Sequence, residues 1–320
     1  MTTWDWAMDG ALALALPLLA WRALVGDSLH EAVVLFVAMG FLMAVACARL
    51  AAPDVALVEA AVGAGLTGAL LMGALGDVGT EPLRRPPSVG RMVRQAPLFA
   101  LVLALGIALC DVVFGRSGRE QGLGVQVLAQ LDDSGASHPV TAILLNFRGY
   151  DTLLEIAVLL VAAVGSASGP RRTAWKAGED SAHPLVLTLV GLLIPGILLV
   201  AGSLLWAGSH APGGAFQAGA VLGGAGVLLV LASVIRAPDA SSLGMRAGLL
   251  VGPAVFLAAA AVPLLEGRHL LEYPPRWAGG VIFAIEAALT VSIALILTLF
   301  FAGVVRLGPV GEEPPGRERP

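Results

Sequence analysis

Long apolar stretches separated by short polar breaks organise this sequence. Runs bounded by charge, proline or glycine clusters lie near residues 7–25, 31–51, 55–76, 97–113, 140–166, 185–207, 213–235, 247–265 and 278–304. A bilayer core of ~30 Å needs roughly 20 apolar residues per helix. Strands of a membrane barrel would alternate apolar and polar positions, whereas these runs are continuous. The pattern therefore predicts an all-α integral membrane protein with about nine transmembrane helices. The N-terminus carries Asp5 and Asp9 where a signal peptide has a basic stretch, and Arg22 follows the apolar part of the first run. It reads as a retained span.

Two polar connections divide the runs into blocks of three, two and four. The first, near 77–96, holds EPLRRPPSVGRMVRQAP, and the second, near 167–184, holds SASGPRRTAWKAGEDSAH. The second has the composition of a linker between separately packed units. The expected units are 1–76, 97–167 and 185–306, followed by a polar tail over 307–320 that is expected to be disordered. The loop at 114–139 is rich in Gly and Gln, and its GLGVQVLAQL stretch is expected at the membrane interface.

Composition narrows the class further. Of 320 residues, 57% are hydrophobic and only 13% charged, about half the share typical of a soluble domain. A net charge of −4 and two cysteines speak against a nucleic-acid partner and a disulfide framework. Orientation follows from the basic residues. Segments on the N-terminal side of the membrane hold five of them: Arg49, Arg116, Arg119, Arg268 and Arg276. The opposite side holds thirteen, and Arg148 falls within a run. The excess predicts an external N-terminus and a cytoplasmic C-terminus.

Charge left in the hydrocarbon is where chemistry is expected, because a carboxylate there costs at least ~2.5 kcal/mol on insertion scales. Glu59, Arg148, Asp151, Glu155 and Glu286 lie inside the runs. In NFRGYDTLLEI, Arg148 and Asp151 are three apart and Asp151 and Glu155 four apart, so all three share one helical stripe. Arg148 can neutralise one carboxylate. The other is then suited to picking up and releasing protons, the plain alternative being a salt bridge that locks helix to helix. Pro53 and Asp54 form a helix start, with Asp54 at the positive end of the dipole. Glu59 follows about one and a half turns later, ahead of the small residues Gly63, Ala64, Gly65 and Gly68, which admit a close helix neighbour. A glutamate there can also snorkel to the surface. Glu286 has no basic residue near it in sequence, so its partner must come from another helix, another chain or water.

In the last block, GSHAPGGAFQAGAVLGG places Pro212, Gly213 and Gly214 where the backbone must bend. His210 is the titratable residue of that junction, either functional or simply solvated. The histidines at 30, 138, 183, 210 and 269 show no ligand spacing, and Cys47 and Cys110 stand apart. No metal site, iron–sulfur centre, haem or nucleotide motif is indicated, and no cofactor is expected. Lys176, the single lysine, is in a connection, so a lysine-based pump would need other chains.

These residues resemble a known family. VVLFVAMGFLMAVACARLAAPDVALVEAAVGAGLTGALL looks like the MbhD-type segment at the C-terminal end of the large A subunit of Mrp antiporters. TAILLNFRGYDTLLEIAVLLVAAVG is similar to the MbhE-type segment, whose usual pattern is close to DFRGFDTLGEI. Asn146 stands in place of the first Asp and Leu154 in place of Gly. LLIPGILLVAGSLLWAGSHAPGGAFQAGAVLGG resembles the MnhB/MrpB subunit, with GHNAPGGGF matched imperfectly from Ser209 to Phe216. Glu286 falls where that subunit carries a glutamate in its last helix.

The resemblance implies a multi-pass cell-membrane subunit, not an enzyme, of a multisubunit sodium/proton antiporter or of the related module of membrane-bound hydrogenases. Its partners would be lysine-bearing pump subunits, small membrane subunits and the lipid bilayer. The transported ions would be protons and sodium. By analogy, Glu59, Arg148, Asp151, Glu155 and Glu286 would serve ion relay, with Asp54 and His210 as secondary candidates. The departures at Asn146 and Leu154 leave a gap in the middle relay. Two other readings stand beside this one: a scaffold that passes no ions, and a stand-alone secondary transporter. The transporter would show inverted repeats and broken helices, and the sequence offers only Pro195–Gly196 as a hint of that.

Overall fold

The computed structural model of the chain describes residues 3–26, 28–78, 89–115, 123–167 and 184–305. Within them every regular element is helical. The 167–184 connection (bar its ends), the 307–320 tail and most of the 77–96 connection lie outside the described residues.

Helix α1 (Thr3–Val25) and α2 (Leu29–Arg49) form a hairpin pinned at both ends. Arg22 reaches Glu31 at 2.6 Å near the turn, while Arg49 grips Asp9 at 2.6 Å and Asp5 at 3.3 Å at the open end. Ser28 caps α2 by accepting the Glu31 N–H, which satisfies one of the donors orphaned at a helix start. The third span is one rod in three parts: α3 (Pro53–Val58), a π-helical stretch Glu59–Leu66, and α4 (Thr67–Val78). At the end of the widened turns the Thr67 hydroxyl donates to the Val62 carbonyl at 2.7 Å. Gly40 of α2 lets Ala64 of this stretch approach until a Cβ would sit 3.0 Å from it.

The middle block differs from the sequence expectation in two places. Helix α5 (Val89–Gly115) starts ahead of the predicted 97–113 run and carries Pro97 within it. The run over 140–166 is not one helix. A short α6 (Leu123–Ala129) and a 3-10 turn (Leu131–Asp133) lead to α7 (Pro139–Ala142), a π turn (Ile143–Phe147) and then α8 (Gly149–Ala167). The break falls at Arg148, whose φ of −130° leaves the helical region. It is stabilised by the Thr152 hydroxyl, which donates to the Leu144 carbonyl at 2.6 Å. Arg148 therefore stands at a junction and not inside a span.

The last block is built around its final helix. Helices α9 (Pro184–Ala207), α10 (Ala215–Leu231) and α11 (Leu243–Ala261) surround α12 (Pro275–Val305). Ala278, Ile282, Ile285, Leu289, Ile293 and Ile296 recur every three or four positions along α12 and are at most 1% exposed. That spacing keeps one stripe of the helix in the core. Because hydrocarbon solvates apolar side chains as well as protein does, close approach through small residues holds such helices together. Gly219 and Gly223 supply it: a Cβ on either would lie under 3.0 Å from Ile293 or Leu297. On the other side, Ser292 Oγ sits between the Gly252 N–H and the Gly248 carbonyl of α11, 2.8 Å from each, just before Pro253. The hydroxyl is inserted into the helix ladder.

Seven helices among the described residues are long and apolar enough to cross a membrane. Two shorter apolar helices, Ala100–Gly115 and Ala215–Leu231, coincide with the fourth and seventh predicted runs.

Candidate functional site: two carboxylates at the start of a short helix

Helix α10 begins late because the chain before it doubles back on α9. Gly214 donates its N–H to the Leu204 carbonyl at 2.8 Å, and Ala211 donates to Ala207 at 2.7 Å. Gly214 has φ +107° and ψ −167°, a region open essentially to glycine alone. Gly208 is equally constrained, since a Cβ there would stand 2.8 Å from the Gly214 nitrogen and 2.9 Å from Glu286 Oε1.

A helix start carries unpaired N–H groups and partial positive charge. Two carboxylates from distant helices meet it here. Asp54, in the first turn of α3, accepts the Gly213 N–H through Oδ1 at 3.0 Å, with Gln217 Nε2 at 3.4 Å from the same oxygen. Glu286, about three turns into α12, accepts the backbone N–H of Ala215. Its side chain is 3% exposed, and Oε2 is buried with no hydrogen-bond partner among the described residues. A buried carboxylate oxygen left unpaired is expensive and calls for a functional explanation.

The other face of Asp54 meets the loop before α7. His138 places Nε2 3.6 Å from Asp54 Oδ2, with the two side chains 15% and 14% exposed. Its backbone is fixed, because the N–H groups of Ser137 and His138 both donate to the Ser209 carbonyl, at 2.9 and 3.1 Å. The Thr141 hydroxyl also donates to the Gly208 carbonyl. Behind His138 the loop is anchored by Asn146, whose Nδ2 donates to the Ser134 carbonyl at 2.7 Å. Gly135, with φ +82°, lets that loop lie against the backbone of Ala278 and Gly279 at the start of α12.

The structure thus brings together two of the residues singled out from the sequence, Asp54 and Glu286, at one turn. The remaining candidates are elsewhere. Glu59 opens the π-helical stretch, and its carboxyl folds over Gly63, where a Cβ would lie within 2.7 Å of both oxygens. Arg148 and Asp151 pair with each other on an exposed face, 69% and 53% accessible. Glu155 is exposed on the second turn of α8. His210 is exposed as well, with its Nδ1 3.3 Å from the Ser209 hydroxyl. His138 and Gln217 are the site residues that sequence reasoning missed. Gln217 stands in plain view on the small-residue face after Pro212, and a polar side chain on so apolar a helix is the signal that could have found it.

Residues 14–79 match the MbhD family of MBH subunits, and residues 185–308 match the domain related to the MnhB subunit of Na+/H+ antiporter. No curated protein matches the sequence. Among solved structures, the Mrp complex from Dietzia sp. DQ12-45-1b is similar in fold, with a TM-score of 0.72 at 22% identity. The likeness covers 98% of this chain and 36% of the matched one, so the chain spans about a third of that relative's length. Asp54 belongs to the first matched segment, and Gly213, Gln217 and Glu286 to the second. The chain thus carries an MbhD-type segment followed by a segment related to the MnhB subunit of Na+/H+ antiporters.

Proposed function

We propose that this protein is a membrane subunit of a multisubunit Na+/H+ antiporter and that Glu286 takes part in moving the ions. It is a transport subunit and not an enzyme. The observation that carries the reading is the buried, half-paired carboxylate of Glu286 at the start of α10. Irregular backbone at a helix break is tolerated within a membrane protein where it is enclosed by protein or lines a polar path, and the Gly208–Gly214 turn packs against α3, α12 and the 131–138 loop with His210 exposed. The segment over 97–167 is the MbhE-like unit in this reading. Asp151 and Glu155, exposed on the isolated chain, face a neighbouring subunit of the complex. The single lysine of the sequence, Lys176, leaves lysine-based pumping to those neighbours. The distribution of basic residues sets the N-terminus outside the cell membrane and the C-terminus in the cytoplasm.

The test is Glu286→Gln in inverted vesicles that hold the complete assembly. Sodium-driven proton movement falls by about tenfold or more while the amount of assembled complex is unchanged. Wild-type exchange in that variant would leave a scaffold that holds other subunits together, a reading favoured by the way Asp54 fastens the two matched segments to each other.

A further inference from the structure

We propose that His138 passes protons to Asp54, making the loop before α7 the proton-loading end of the site. The inference rests on the antiporter reading above and adds to it a residue outside both matched segments.

Geometry singles out the imidazole. Asp54 Oδ1 is occupied by the Gly213 N–H and the Gln217 amide, and Oδ2 is the oxygen that faces His138 Nε2 at 3.6 Å. The second ring nitrogen, Nδ1, is buried without a hydrogen-bond partner among the described residues. A ring used only as packing is expected to satisfy or expose that atom. One used as a shuttle needs a nitrogen at each end, one toward the acceptor and one toward the donor. The backbone that carries the ring is held on both sides, by the bonds of Ser137 and His138 to Ser209 and by Pro139 immediately after.

The transfer balances without any further reactant. A proton delivered by hydronium binds Nδ1 and leaves water, and the proton on Nε2 passes to Asp54 Oδ2, so the ring is neutral before and after and the carboxylate becomes a carboxylic acid. Loss of the Nδ1 proton to water and uptake of one at Nε2 restore the starting tautomer. Asp54 and Glu286 accept N–H groups two residues apart on one turn, so a proton on Asp54 stands at the same turn that Glu286 meets. The ionisable groups around this turn are Asp54 on α3 and Glu286 on α12. His210 on the turn, and Asp132 and Asp133 on the loop, are exposed.

The experiment uses the complete assembly in inverted vesicles with three variants: His138→Gln, His138→Ala and Glu286→Gln. His138→Gln keeps a polar group of similar size but cannot carry a proton, and it lowers exchange about tenfold or more with assembly intact. Added imidazole restores exchange severalfold in His138→Ala and leaves Glu286→Gln unchanged. Wild-type exchange in His138→Gln overturns the proposal. So does a loss in His138→Gln with no imidazole response in assembled His138→Ala, which assigns the ring a structural role. If Glu286→Gln exchanges at the wild-type rate, the ion-moving role proposed for Glu286 fails, which is a separate result from failure at His138 alone.

Discussion

Asp54 and Gly213 stand 159 positions apart in the sequence and 3.0 Å apart across a hydrogen bond, the Gly213 N–H donating to Asp54 Oδ1. That bond joins the MbhD-type segment to the MnhB-type segment. Gln217 doubles it by reaching the carboxyl and the backbone carbonyl of the same aspartate, at 3.4 and 3.5 Å. Asp54→Ala leaves the Gly213 N–H without its acceptor and the buried Gln217 amide with only the backbone carbonyl of residue 54. The expected cost is about 1–3 kcal/mol, read as a lower midpoint of thermal unfolding in detergent. An unchanged midpoint would show that the two segments do not depend on this contact.

Gly214→Ala tests the turn. The residue sits at φ +107°, ψ −167°, where a side chain costs on the order of 1–3 kcal/mol, and the added Cβ would press on Glu286 Oε1. Loss of both stability and exchange is expected, measured by thermal unfolding and by vesicle transport. Gly224→Ala, where a Cβ meets nothing within 4 Å, serves as the tolerated control.

Asn146→Asp restores the residue more usual in the MbhE-type pattern, yet here it should destabilise. The amide donates to the Ser134 carbonyl, and a carboxylate has no proton to give. Loss of the bond and repulsion between oxygens are expected to cost about 1–3 kcal/mol. Faster proteolysis of the 131–138 loop is the readout, and resistance equal to that of the wild type would count against the anchoring role.

Ser292→Ala removes the hydroxyl inserted between the Gly252 N–H and the Gly248 carbonyl. Loss of both hydroxyl bonds inside the bundle should cost about 1–3 kcal/mol. Ser292→Thr keeps the hydroxyl and separates its loss from a simple change of volume, again by unfolding midpoint.

Tyr273 lies between the last two spans, with its hydroxyl buried and unpartnered among the described residues. Burial pushes its phenol up from 10.0 to about 12. The folded state therefore favours the neutral ring, and the stability that goes with it is present below pH 10 and lost as pH rises through 12. Tyr273→Phe should be neutral or slightly stabilising at pH 7, because no hydrogen bond is broken. It should also reduce the fall in unfolding midpoint between pH 10 and 12. A larger alkaline loss in the variant than in the wild type would refute this account.

Helix positions were legible because the hydrocarbon requirement is local: a span is a run of apolar residues, and each run can be found without knowing its neighbours. Glu286 was legible for a related reason, as a carboxylate in such a run has no inexpensive explanation. The break at Arg148 was not. NFRGYD reads as an unbroken helix by composition, and the interruption shows only in the folded backbone, where Arg148 leaves the helical region and the Thr152 hydroxyl reaches Leu144 across the gap. His138 stayed hidden because its chemistry depends on Asp54, which is far away in the chain and close only in space.

The order of apolar runs thus determined that this chain folds as membrane helices and which few charges they had to accommodate, since both follow from the cost of polar groups in oil. Tertiary structure alone decided which of those charges meet. The N–H groups at the start of α10 needed acceptors, and folding supplied Asp54 from one segment and Glu286 from another, leaving Arg148 and Asp151 to each other on an open face.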